Sequence, residues 1–262
     1  MAEIGILLVG HGTRSSAGTR CVEFLRNLVA DRSPQLAVSH CFLELHEKTI
    51  ERGLSELTKQ GVSKVAVAPL LLFAAGHAKA DIPREAADAA APHLQLCQAD
   101  ALGCHPALVE LSQRRYREAV DSSPEISPEQ TCLLLVGRGS YDDEATAELR
   151  KFADLRRSQL PGVTIQVAFI AMAQPSVAEA LERLSGSGFK RVVVQPHLLF
   201  PGELLDNLAA LVNKQQSNAL ARQWILTPAL AHDLGAGGPA DTLLVTTVLQ
   251  RAAAALQTLG AG

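Results

Sequence analysis

Three polar residues lying far apart in the chain have the types and setting to handle a metal ion and protons: His11, Glu44 and His77. Neutral imidazole together with carboxylate suits a borderline first-row divalent ion, and both groups accept protons. Each follows an apolar run, at residues 4–9, 36–43 and 65–72 respectively. If these runs are strands of an open parallel sheet, ligands bind beyond their carboxyl ends, and the three residues share one rim. The glycines of Gly10-His11-Gly12 let the backbone approach a bulky ligand closely. Two histidines without a thiolate describe an open, exchangeable site and not a closed structural one. Arg14, Lys79, Arg84 and Arg138 fall near the same strand ends and would favour an anionic ligand, although the net charge is −3.

The ordinary readings stand beside these. A histidine after a strand can simply bond its own loop, and Glu44 could cap the helix that follows it. His46 and His105 read as facing solvent or local backbone, whereas His197 aligns with Leu70 and is a candidate to face the site. His40, His93 and His232 have no supporting context.

The elements that must position these residues appear twice. Gly10-His11-Gly12-Thr13 recurs as Gly137-Arg138-Gly139-Ser140, an offset of 127 that also aligns Phe42 with Phe169, Gly61 with Gly188 and Pro69 with Pro196. No gap is needed, so the chain is an internal duplication. His11 faces Arg138 and Glu44 faces Ala171, which assigns the chemistry to the first copy. In the second copy, strand-like runs at 132–136, 163–170, 192–199 and 224–227 alternate with helical spacing, as in the first. Runs apolar almost throughout, such as Val65-Ala66-Val67-Ala68, imply burial on both faces of a parallel sheet. The fold class is therefore α/β, as two similar doubly wound parallel-sheet domains. A Pro- and Ser-rich break at 121–130 sets their bounds at 1–125 and 126–262.

Composition narrows the function classes. With 47% hydrophobic and 19% charged residues, the chain can bury two cores, and nothing in the charge balance favours nucleic acid or an anionic membrane. No leader pattern or apolar run of membrane-spanning length is present, which points to a cytoplasmic protein. The five cysteines form no C-x-x-C pair, so neither a disulfide framework nor an iron–sulfur or structural zinc site is expected; Cys21 and Cys41 read as small buried apolar residues.

At three stretches the chain resembles the sirohydrochlorin chelatase family, whose members insert cobalt on the cobalamin route or iron in siroheme synthesis. They are Leu7-Leu8-Val9-Gly10-His11-Gly12-Thr13-Arg14, Phe42-Leu43-Glu44-Leu45, and Pro69-Leu70-Leu71-Leu72 continuing to Gly76-His77-Ala78-Lys79-Ala80-Asp81-Ile82-Pro83. The resemblance covers essentially the whole chain. It implies the class II chelatase fold, two α/β lobes around a cleft, and a lyase that inserts Co²⁺ or Fe²⁺ into sirohydrochlorin without ATP. It also implies that His11 and His77 handle the metal and the pyrrole protons, with Glu44 orienting a histidine or relaying protons. Arg14, Lys79, Arg84 and Arg138 would meet the carboxylates of the tetrapyrrole. The implied chain is a monomer with no tightly bound cofactor, its metal being a substrate. Imidazole and carboxylate accept cobalt, iron and nickel alike, so the metal stays open. Two other readings are a metal-binding or delivery protein without tetrapyrrole chemistry, and a phosphohistidine phosphatase. The second lacks the Arg before His11 that such enzymes carry.

Overall fold

A computed structural model describes residues 3–13, 15–74, 76–218 and 222–260. Each half begins with the same elements in the same register. β1 (Ile4–Gly10), α1 (Ser16–Arg32), β2 (Ala37–Phe42), α2 (Ile50–Lys59) and β3 (Lys64–Pro69) build the first. A five-residue π-helical turn (His77–Asp81), α3 (Ile82–Ala89), β4 (Gln95–Gln98) and α4 (Pro106–Asp121) follow. The second half contains β5 (Thr131–Gly137), α5 (Asp143–Gln159), β6 (Thr164–Phe169), α6 (Val177–Ser185), β7 (Arg191–Pro196), α7 (Glu203–Asn218), β8 (Gln223–Leu226) and α8 (Pro239–Gly260). Thr131, Thr164 and Arg191 open their strands 127 residues after Ile4, Ala37 and Lys64, the spacing the sequence repeat gives.

The two sheets are parallel throughout, in the orders β2-β1-β3-β4 and β6-β5-β7-β8. The central strands β1 and β5 are buried along nearly their whole length, as expected of strands covered on both faces. In α2, Thr49 caps the amino end by accepting the Arg52 N–H, and Ile50, Leu54 and Leu57 form one buried stripe. In α6, a Ser176/Glu179 capping box does the same work above Val177, Leu181 and Leu184, each 127 positions on. Each such side chain contributes roughly 1.5–3 kcal/mol by burial. These stripes lie in two separate cores, the first joining Leu7, Val9 and Val67 to Ile82 of α3, the second joining Leu134, Val136 and Val194 to Leu208 of α7.

The compact units do not follow the repeat boundary at 125/126. The first comprises Met1–Leu108 with Asp233–Gly262, and the second comprises Val109–His232. The two closing helices are thus exchanged with respect to the repeats. α4 packs on the second sheet, where Ser112 and Gln195 of β7 are hydrogen-bonded and buried and Arg115 Nε donates to the Leu230 carbonyl. α8 closes the first sheet, against β3 and β4 and beside α1. His105 bonds Gln250 and Thr247 of this helix, and Arg251 reaches Asp100 and the Leu102 carbonyl. Among the described residues, no helix is long and apolar enough to cross a membrane.

Candidate active site

The order β2-β1-β3 places the loops after these three strands side by side at the carboxyl edge of the first sheet. Gly10 is paired with Phe42 and Val9 with Pro69, so His11, Glu44 and the segment leading to His77 leave neighbouring strand ends. β1 and β3 are also where the chain changes direction across the sheet, the position at which doubly wound folds bind ligands.

His11 and Glu44 are held together by backbone before their side chains meet. Leu43 N–H donates to the Gly10 carbonyl at 3.0 Å and Glu44 N–H to the His11 carbonyl at 3.2 Å. Such close approach requires glycine at position 12. Its φ is +106°, and a Cβ there would lie 1.9 Å from the Glu44 carbonyl oxygen. The next residue after Glu44, Leu45, is itself left-handed at φ 59° and exposed. Non-glycine residues held in that region concentrate at functional loops.

Across this loop pair, His11 Nδ1 stands 3.5 Å from Glu44 Oε1, with the imidazole about one quarter exposed and the carboxylate half exposed. The pair orients the imidazole and offers the carboxylate as a proton relay. Among the described residues no cluster of three or more His, Cys, Asp or Glu side chains forms a complete metal site. The His77 backbone opens the π-helical turn, a geometry frequent at functional positions; its side chain lies outside the described part of the structure.

The basic residues separate. Lys79 is exposed on the π-helical turn. Arg84 is exposed two residues into α3, and its Nη2 is 2.9 Å from Asp81 Oδ1. Arg138 is exposed just past β5 of the second unit, where its carbonyl accepts the Ala171 N–H as that of His11 accepts the Glu44 N–H. Arg14 lies outside the described residues.

Four other histidines have structural settings, while His93 and His232 are exposed. His46 Nδ1 accepts the Lys48 N–H, and its ring packs on Phe42. His105 caps α4 by accepting the Ala107 N–H while bonding α8, and burial lowers its pKa. His40 is buried edge-on to Phe42, and burial pulls its pKa down to about 4. His197, which its alignment with Leu70 made a candidate to face the site, is buried within the second unit. It is 3% exposed, stacks 4.3 Å from Phe152, and burial takes its pKa to about 3. Cys41 is a buried thiol pushed up by burial, while Cys21 is only partly buried.

Sequence reasoning missed the backbone clamp. The duplicated glycine was visible at positions 12 and 139, but its collision partner, the carbonyl at 44 or 171, emerges only once the two loops are placed.

Comparison with known proteins meets this geometry from another direction. The CbiX family profile matches residues 5–119 and 132–235, both copies of the repeat. The chain is 31% identical over 234 residues to a sirohydrochlorin ferrochelatase of Priestia megaterium, covering 88% of this chain and 85% of that one. It is 29% identical over 211 residues to a sirohydrochlorin cobaltochelatase of the same organism, covering 80% and 68%. Its fold matches the structure of SirB from Bacillus subtilis with Fe³⁺ at a TM-score of 0.82, 27% identity and 96% coverage of both chains.

Proposed function

The chain belongs to the CbiX family, and we propose that it inserts Co²⁺ or Fe²⁺ into sirohydrochlorin as an ATP-independent lyase of cobalamin or siroheme synthesis. The observation that carries this reading is the His11–Glu44 pair, 3.5 Å apart on the switch-point rim that also receives the loop of His77. Insertion must strip water from the ion, bring it to one face of the macrocycle and remove two pyrrole protons. His11 and His77 hold the incoming ion as neutral imidazoles, which lets it exchange as a closed thiolate site would not. Glu44 fixes the His11 ring and takes protons from the macrocycle face, and its exposure lets them pass to solvent.

Arg14, Lys79, Arg84 and Arg138 meet the eight carboxylates of the substrate, so Arg84 exchanges its Asp81 partner for one of them. The relatives include both a cobalt and an iron enzyme at nearly equal identity, and the donor set suits both ions. The enzyme acts as a cytoplasmic monomer, in keeping with the free thiols of Cys21, Cys41, Cys97 and Cys132.

Anaerobic absorbance of sirohydrochlorin with Co²⁺ or Fe²⁺ tests the reading. Purified protein accelerates loss of the free-tetrapyrrole spectrum equally with and without ATP, and a His11→Ala, His77→Ala double variant loses about a hundredfold or more of that rate. Metal binding without acceleration, or a double variant at full rate, overturns it.

A further inference from the structure

At the opposite, amino end of its sheet, the second unit contains a cavity of about 300 Å³. Thr131 and Arg191, the first residues of β5 and β7, line it together with Tyr116 of α4. Ile126, Leu160 and Val163 give it apolar walls.

The charge in this region is unbalanced. Arg191 is 1% exposed, and its two bonds go to neutral acceptors, Nε to Gln223 Oε1 at 2.7 Å and Nη2 to the Pro124 carbonyl. Arg156 is fully buried. Its Nη1 donates to Oε1 of Gln159, itself a lining residue, while Nε and Nη2 have no partner among the described residues. Neither guanidinium pairs with a carboxylate among the described residues, and Glu129, beside the lining Pro128, is exposed.

Tyr116 does not supply the missing negative charge. Burial raises its pKa against the downward pull of Arg191 and Arg156, so at neutral pH it is a phenol and a donor. Burial lowers Arg156 only to about 10, so its cation persists. A buried charge without a counter-charge is costly to hold, and an incoming anion would offset part of that cost.

We propose that this cavity binds a small organic carboxylate, held by Arg191 and the Tyr116 hydroxyl with its apolar body against Ile126, Leu160 and Val163. The apolar walls favour such an acid over inorganic phosphate. A volume of about 300 Å³ is at the small end of ligand pockets and excludes a tetrapyrrole, so this site is separate from the histidine rim.

Calorimetric titration of the full chain with phenylacetate, phenylacetamide and inorganic phosphate tests it. Phenylacetate binds and raises the Tm, the neutral amide binds at least about tenfold more weakly, and phosphate is weaker than phenylacetate. Tyr116→Phe weakens phenylacetate several-fold while keeping the cavity's shape, and Val163→Trp fills the cavity and abolishes binding. Arg191 is left in place because it ties Pro124 to Gln223. If Val163→Trp does not fold, Tyr116→Phe and the amide decide alone. Absence of heat and of a Tm rise with phenylacetate, equal binding of the amide, preference for phosphate, or folded variants that bind unchanged would overturn the proposal.

Discussion

Replacing Gly12 by alanine would separate the clamp on the active-site loops from general loop stability, because the second unit holds a matched control. At φ +106° an alanine is strained by about 1–3 kcal/mol. Its Cβ would also sit 1.9 Å from the Glu44 carbonyl oxygen, and real contacts of this kind begin near 3.0 Å, so the loops must part by about 1.1 Å. That movement is carried by backbone and displaces His11 from Glu44. A misplacement of about 1 Å in a catalytic constellation costs on the order of a hundredfold in rate. Gly139→Ala creates the same fault at φ +92°, with its Cβ 1.7 Å from the Ala171 carbonyl, where no histidine or acid stands. Urea titrations should show similar losses of stability for both variants. Single-turnover metal insertion, at a temperature where both are folded, should fall about a hundredfold for Gly12→Ala. For Gly139→Ala it should keep its rate. Equal rate losses would mean that the clamp does not position the site, and so would a Gly12→Ala enzyme at full rate.

Two further outcomes follow from backbone strain and burial. Leu45→Gly removes a left-handed leucine at φ 59° that is 54% exposed, so the urea midpoint should rise by up to about 1 kcal/mol equivalent; a fall would show that the side chain holds contacts worth more than its strain. His197 is neutral in the folded state down to about pH 3 but protonates near 6.5 when unfolded, so its contribution is whole above pH 6.5 and is lost as pH falls towards 3. Wild-type stability should therefore drop more steeply between pH 6 and 4 than that of His197→Gln, by at most about 1.4 kcal/mol per pH unit, and parallel curves would refute the assignment.

The duplication made most of the architecture legible. An offset that aligned Gly10 with Gly137 and Pro69 with Pro196 is the offset of the strands themselves, because the apolar runs fill both faces of each central strand. Two helices are not legible in the sequence. α3 is only eight residues and follows a π-helical turn that breaks the 3.6-residue period, and α7 begins directly after Pro201-Gly202, which reads as a loop. The ownership of α4 and α8 was hidden for another reason. A repeat reveals which segments are alike but not which sheet a helix covers, and that is decided by long-range contacts such as His105 with Gln250. At the site, residue type and strand-end position sufficed to bring His11 and Glu44 together. They could not reveal that His197 is turned inward onto Phe152, since an aligned position fixes a register and not a side chain's surroundings.

The exchanged closing helices also set an order of manufacture. β1 to β4, with His11 and Glu44 on their rim, leave the ribosome well before α8, and the whole of the second unit is translated in between. Until Val245 and Val248 arrive to be buried, one face of the first sheet lacks its cover, while the second unit already has all of its residues. The unit that carries His11 and Glu44 therefore receives α8 only after the second unit has all of its residues. A nascent chain halted before α8 exposes an apolar sheet face that the finished first unit buries, the kind of surface that chaperones and proteases engage.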